Sequence, residues 1–421
     1  MGALIDTIRS GRFLTRERIR LWALATLVAS AAGLLFVIAT SDGLNDYQNR
    51  PLGTDFSNVY AAGTYVLDGH AAAAFDWPAQ HARERAIFGE RTPFYGWHYP
   101  PFFLFVAGLL ALMPYALSLA LWQGVTLVLY LLSIRTILAT SWPDSSRSFP
   151  ADKLWRLLAL AFPAVFVNIG HGHNGFLTAA LLGGALVMLD RRPILSGVLF
   201  GLIAYKPQFG ILIPLVLIAT GRWRTFLAAG GTVVALGIAT LIAFGPEVWT
   251  AFFASTHLTR VEVLEQGGTG WHKIQSVFSW VRMWGGGVPL AYAMQGLVMA
   301  ALAVALVWLW RSAASYRIKA GVLIIAAILA TPYSLDYDLV ALAPAIAFLA
   351  IDGLSRGFAP YEKSALALLW FMPLIARSIA EWTLTPLGVP AMLIVLALAL
   401  RRAAAETGFL ASWHSAVQPI K

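Results

Sequence analysis

Residues 16–40 read RERIRLWALATLVASAAGLLFVIAT, a short block of charge followed by an uncharged, largely apolar run from Leu21 to Thr40. As a helix rising 1.5 Å per residue, that run spans about 30 Å, the thickness of a bilayer's hydrocarbon core. It is too long for a signal-peptide core and is not followed by a small-residue cleavage site, so it predicts a retained first membrane helix behind Arg9, Arg12, Arg16, Arg18 and Arg20. Comparable apolar runs recur along all 421 residues. Hydrophobic residues make up 59% and charged residues 12%, against roughly 45–50% and about 25% in soluble domains. So few charges cannot coat a soluble protein of this length, and the composition predicts an all-α, polytopic membrane bundle.

The net charge of +9 does not indicate nucleic acid, because the basic residues sit in short clusters between apolar runs, where they orient helices. Clusters at Arg9–Arg20, Arg147–Arg156, Arg191–Arg192, Arg222–Arg224, Arg311–Lys319, Arg356–Lys363 and Arg401–Arg402 are placed on the cytoplasmic side with both termini. That requirement predicts about twelve helices, near 21–40, 116–138, 154–169, 175–190, 194–205, 208–220, 224–244, 291–310, 318–331, 337–351, 364–380 and 387–400. The run Phe102–Met113, closed by Pro100, Pro101 and Pro114, is too short to cross and reads as an interfacial helix. One integrated membrane domain is expected: a cytoplasmic segment 1–20, a first outer loop 41–115, a second outer loop 245–290, both packed on the bundle, and a cytoplasmic tail 401–421. The chain has no cysteine, which excludes disulfides, thiolate metal sites and cysteine nucleophiles.

Charges outside the basic clusters are few and are expected at the outer ends of different helices: Asp55, Lys206, Asp336, Asp338, Arg377 and Glu381, with His98, His171, His173 and Asn174 on the same face. Polar groups at such depth are costly and mark functional paths. Asp55 has two readings, a helix N-cap or a general base toward a hydroxyl. Lys206 follows Ala204-Tyr205 and precedes Pro207-Gln208, where proline breaks a helix; its ammonium either binds a phosphate oxygen or snorkels to the interface. The run Gly170-His171-Gly172-His173-Asn174-Gly175 offers imidazoles and an amide for sugar or phosphate, or forms a tight turn; a metal site on two histidines is the weaker reading. Trp97-His98-Tyr99 is an aromatic interface belt or a substrate contact. Trp271-His272-Lys273 closes over a substrate or is a mobile loop. Tyr333, Asp336 and Asp338 cap a helix or line a cavity, and Arg377 pairs with Glu381 at i, i+4. No nucleotide-binding loop is present, so cytosolic nucleotide sugars are poor donors.

Several motifs recur in a characteristic order: Asp55-Phe56 with Tyr60-Ala61-Ala62-Gly63 and Asp68-Gly69; Tyr99-Pro100-Pro101 leading to Met113-Pro114-Tyr115; Gly172-His173-Asn174-Gly175-Phe176-Leu177; Gly197 to Gly201 with Ala204-Tyr205-Lys206-Pro207-Gln208; Arg222-Trp223-Arg224; and Thr331-Pro332-Tyr333-Ser334. Together they resemble the family 87 glycosyltransferases, polyprenyl-phosphate-sugar-dependent enzymes of the GT-C fold. The resemblance implies a hexosyltransferase that moves a sugar, most often mannose, from a lipid phosphate to a lipid or glycan acceptor on the outer face, with inversion. Asp55 matches the family's first-loop catalytic base, and Lys206, His98 and Arg377 would hold the departing phosphate. Tyr99, His171, His173, Asn174, Gln208, Tyr333 and Asp336 would line the sugar or acceptor site. Neither metal nor cofactor is needed, and a bacterial inner membrane with a periplasmic active site is the expected setting. His173 stands where relatives commonly carry Gln; protonated near about pH 6 to 7, it would add a pH-dependent phosphate contact. The competing class is a transporter or lipid-linked-sugar flippase.

Overall fold

The computed structural model describes residues 2–141 and 153–408. Arg147 and most of the tail therefore lie outside the described residues. The described chain is helical throughout, with no strand beyond isolated bridges such as Ile274 with Leu335.

Six helices are long and apolar enough to cross a membrane: Arg16–Ala39, Tyr115–Thr140, Trp223–Phe244, Val288–Arg311, Asp336–Arg356 and Gly388–Glu406. Two bent pairs raise the number to eight, Lys153–Ala161 with Pro163–His171 at 50°, and Glu362–Leu374 with Ala376–Thr383 at 80°. The expected twelve spans are thus not found. Gly175–Met188, Pro193–Tyr205 and Pro207–Ala219 are each apolar but short, and Tyr316–Leu329 has only 14 residues. At 1.5 Å per residue, 14 residues cover about 21 Å. Proline sets several of these limits: Pro163, Pro193 and Pro207 each open a helix or turn, where the missing N–H costs nothing.

The Asp336–Arg356 helix is mostly buried, whereas Arg16–Ala39 and Trp223–Phe244 present most of their length outward. Alanines at 341, 343, 345 and 347 and Gly353 let neighbours approach the central helix; a Cβ on Gly321 would lie 2.7 Å from Leu349.

The segment 41–99 is ordered against this bundle. Its helix Thr54–Leu67 lies on Leu104–Ala111 so closely that a Cβ on Gly63 would overlap the Ala107 carbonyl. Asp76 caps the helix Trp77–Phe88 through the Ala79 N–H at 2.8 Å. Trp97 is fully buried, with its ring against Phe75, Tyr99 and Phe103. This corrects the interface-belt reading, since a belt tryptophan keeps an edge at the headgroups. Phe102–Met113 becomes a turn Pro101–Phe103 and a helix Leu104–Ala111. The segment 245–290 forms helices Glu247–Leu258 and Val277–Met283 with the turn Trp271–Lys273 between them.

Candidate active site

The site begins where two glycines meet. Gly53 (φ +69°) starts the helix Thr54–Leu67, and Gly172 (φ +62°) ends the helix Pro163–His171. A Cβ on Gly172 would stand 2.6 Å from the Cβ of Phe56 and 3.1 Å from the Cα of Gly53. Only glycine permits both the left-handed backbone and this approach. The crossing brings the Thr54 hydroxyl to 2.8 Å from His171 Nδ1, and Asp55 Oδ2 to 3.6 Å from the same nitrogen.

Asp55 is not the N-cap. That position belongs to Gly53, and no side chain caps this helix. Its side chain is 19% exposed, and its Oδ2 is buried without a hydrogen-bond partner. Burial raises the carboxyl above the usual aspartate range, Asp336 adds to the rise, and His171, Lys206 and Lys273 oppose it. A carboxylate that is desolvated, open on one oxygen and surrounded by cations is suited to take a proton.

Against the end of the Pro163–His171 helix packs the turn Asp336–Ala341, whose two acidic residues take different partners. Lys206 Nζ lies 2.5 Å from Asp338 Oδ1, with the side chains 7% and 2% exposed. Arg377 reaches Asp336 Oδ2 with Nε at 2.8 Å and Nη2 at 2.6 Å. The other carboxylate oxygens accept backbone N–H groups, Asp336 Oδ1 from Tyr337 and Asp338 Oδ2 from Leu335, each at 3.0 Å. Two expectations change here. Lys206 is not a lone ammonium, because a buried charge needs a counterion. Arg377 pairs with Asp336, leaving Glu381 to His272 at 3.3 Å, although both lie on the one helix Ala376–Thr383. Of the two acidic residues, Asp338 caps the turn, through the Leu335 N–H.

Tyr337 packs against both histidines. His173 stacks on its ring at 3.7 Å, and His171 meets it edge-on at 5.3 Å. Tyr99 Oη lies 3.2 Å from His173 Nε2, while His173 Nδ1 and Asn174 Oδ1 are buried without a partner. Burial, with the nearby Lys206 and His171, pushes the His173 imidazole well below its ordinary pKa, so it is neutral near pH 7 and the expected pH-dependent phosphate contact fails. His98 is likewise pushed down to about 4 by burial. It is held by Thr259 Oγ1 at 2.9 Å and by Trp77, so it cannot serve as a cationic phosphate ligand. Tyr333 is half-buried, and its phenol feels Asp55 and Asp338. Gln208 sits half-exposed in the turn after Lys206.

Sequence reasoning passed over the residues that set the loop. Asn168 is fully buried; its Oδ1 accepts the Gly175 N–H at 2.8 Å, its Nδ2 donates to Gln123 Oε1 at 3.2 Å, and Gln123 donates to the His173 carbonyl at 3.0 Å. An amide on each of two apolar helices was the available signal. Among the described residues no three His, Asp or Glu side chains gather to hold a metal.

No curated protein and no solved structure matches the chain. The model of glycosyltransferase family 87 matches residues 97–332, more than half of the sequence. That stretch contains Tyr99, His171, His173, Asn174, Lys206 and Gln208 and excludes Asp55, Tyr333, Asp336 and Arg377. On this match, and with its membrane-length apolar helices, the chain belongs to glycosyltransferase family 87, a family of membrane glycosyltransferases.

Proposed function

We propose that the protein transfers a hexose, with mannose as the first candidate, from a polyprenyl-phosphate donor to a hydroxyl of a lipid or glycan acceptor. The reaction takes place on the non-cytoplasmic face of a bacterial inner membrane, in a GT-C-type bundle acting as one unit. The observation that carries this reading is the buried Oδ2 of Asp55, which accepts no hydrogen bond and has only His171 beside it at 3.6 Å, next to a cluster of paired charges. Asp55 Oδ2 takes the acceptor proton as the hydroxyl oxygen forms its bond to the anomeric carbon. The bond from that carbon to the phosphate oxygen breaks on the opposite face, its electron pair leaves with the polyprenyl phosphate, and the configuration inverts. The leaving group is already a stable anion, so no strong general acid is required.

The acceptor-rich lining supports a sugar ligand. Asn174 Oδ1 and His173 Nδ1, both buried beside Tyr99, lack partners, and sugar hydroxyls would satisfy them. Lys206 and Arg377, locked to Asp338 and Asp336, provide fixed positive charge toward the developing phosphate. The test is transfer by purified protein in nanodiscs, given labelled polyprenyl-phosphate mannose and a lipid or glycan extract. Asp55→Asn should abolish labelled product while retaining polyprenyl-phosphate binding. Retained transfer refutes the base assignment, and movement of intact lipid-linked sugar between leaflets without an acceptor would favour a flippase.

A further inference from the structure

Three cations lie close enough to influence Asp55 or its neighbour Asp336: Lys206, Arg377 and Lys273. Two are committed. Turning Lys206 or Arg377 toward a substrate anion would leave Asp338 or Asp336 buried without its counterion, a costly arrangement. Lys273 differs. Among the described residues it forms no ion pair and no side-chain hydrogen bond, although it is half-buried and stands near the like charge of Arg377. Burial and Arg377 lower its pKa, while Asp336 and Asp55 oppose the drop. An ammonium in that position gains most from an added anion.

Its placement is built into the backbone. Gly267 and Gly270 take positive φ (+74° and +89°) before the turn Trp271–Lys273. The Trp271 indole donates to the Leu264 carbonyl at 2.9 Å and lies under the Arg282 guanidinium. Just after Lys273, Ile274 bridges Leu335, and the Gln275 N–H donates to the Ser334 carbonyl at 2.7 Å. Gln275 Oε1 accepts the Gly388 N–H at 2.9 Å. Lys273 is therefore docked beside the segment that carries Asp336 and Asp338. From the sequence, Lys273 belongs to a segment read as closing over a substrate or as a mobile loop, with no partner indicated.

We propose that Lys273 is the phosphate-binding residue of the donor site, its ammonium donating to a non-bridging oxygen of the polyprenyl-phosphate diester and keeping that contact as the phosphate leaves. This rests on the glycosyl-transfer reading above. The full-length protein in nanodiscs is titrated with polyprenyl phosphate and, separately, with the matching polyprenol. Wild type should favour the phosphate by on the order of tenfold or more. Lys273→Gln and Lys273→Met should lose that preference while binding polyprenol unchanged, and Lys273→Arg should keep most of it. A preference retained in both neutral variants overturns the assignment to Lys273 alone. No preference in wild type overturns the donor reading itself. Equal loss of both ligands in the variants means Lys273 supports the loop rather than the phosphate, and also counts against the proposal.

Discussion

Two buried charge clusters sit at opposite ends of the central Asp336–Arg356 helix, separated by about 20 Å from Asp338 to Asp352 at 1.5 Å per residue. At the Asp352 end every carboxylate has a cation. Asp352 takes Arg356 at 3.1 Å, Arg402 at 3.0 Å and the Ser315 hydroxyl at 2.7 Å; Glu362 takes Arg402 at 2.7 Å; Glu406 takes Arg356 and Arg402. This network ties together Tyr316–Leu329, Leu342–Arg356, Glu362–Phe371 and Gly388–Glu406. At the other end Asp336 and Asp338 are paired in the same way, yet Asp55 faces only the His171 imidazole, at 3.6 Å, and among the described residues Lys273 has no ion pair. The cluster that holds helices together matches each carboxylate to a guanidinium, even where one oxygen, Glu362 Oε1, accepts no hydrogen bond. One that leaves a buried carboxylate without a guanidinium or ammonium partner retains the capacity to act on something else.

The largest effect that tests this contrast is Asp55→Asn. Transfer should fall by on the order of 10²–10⁴-fold, measured as labelled product. Because the wild-type base works ionised, its rate should rise with pH through a pKa above the ordinary aspartate value. Stability should move the other way. A carboxyl whose folded pKa is raised loses stability as pH climbs from its unfolded toward its folded value, so Asp55→Asn should melt no lower than wild type at pH 7. A large drop in melting temperature would erase the contrast.

Asp338→Asn should cost about 3–5 kcal/mol by stranding the buried Lys206, and Asp352→Asn should cost less, because Arg356 keeps Glu406 and Arg402 keeps Glu362; both are read by denaturant titration in detergent. Removing both partners, as in Lys206→Met with Asp338→Leu, should recover part of the loss. If the contrast holds, restoring stability with a second-site substitution rescues transfer for Asp352→Asn but not for Asp338→Asn.

Gly172→Ala should cost about 1–3 kcal/mol, because it forces a Cβ into a left-handed residue and against Phe56. It should also lower transfer by separating Asp55 from His171. A smaller effect sharpens the comparison from outside both clusters. Glu84 is fully buried, and burial pushes its carboxyl up to about 8, so it is protonated at neutral pH. Glu84→Gln should match wild type near pH 4, melt higher as pH rises toward 8, and hold a constant gap above that, read by thermal shift across pH.

The candidate site was partly legible in the sequence. Asp55, Lys206, Asp336, Asp338 and Arg377 stood out because charges are scarce in an apolar chain, and the glycines around His171 and His173 marked a tight turn. Partners were not legible. Arg377 and Glu381 fit a helical i, i+4 pair and do share a helix, but partners from distant segments, Asp336 and His272, take them instead, and Lys206 finds its carboxylate 132 residues away. His98 and His173 read as cations because sequence does not report desolvation.

By itself the sequence determined that the chain is helical and built for a membrane, since the lengths of its apolar runs and its scarcity of charge leave no other means of satisfying the backbone. Packing alone decided how many helices are long enough to cross, that Gly53 rather than Asp55 caps its helix, and which charges remain open. Those outcomes depend on contacts between segments distant in the chain, and hydropathy and local spacing contain no term for them.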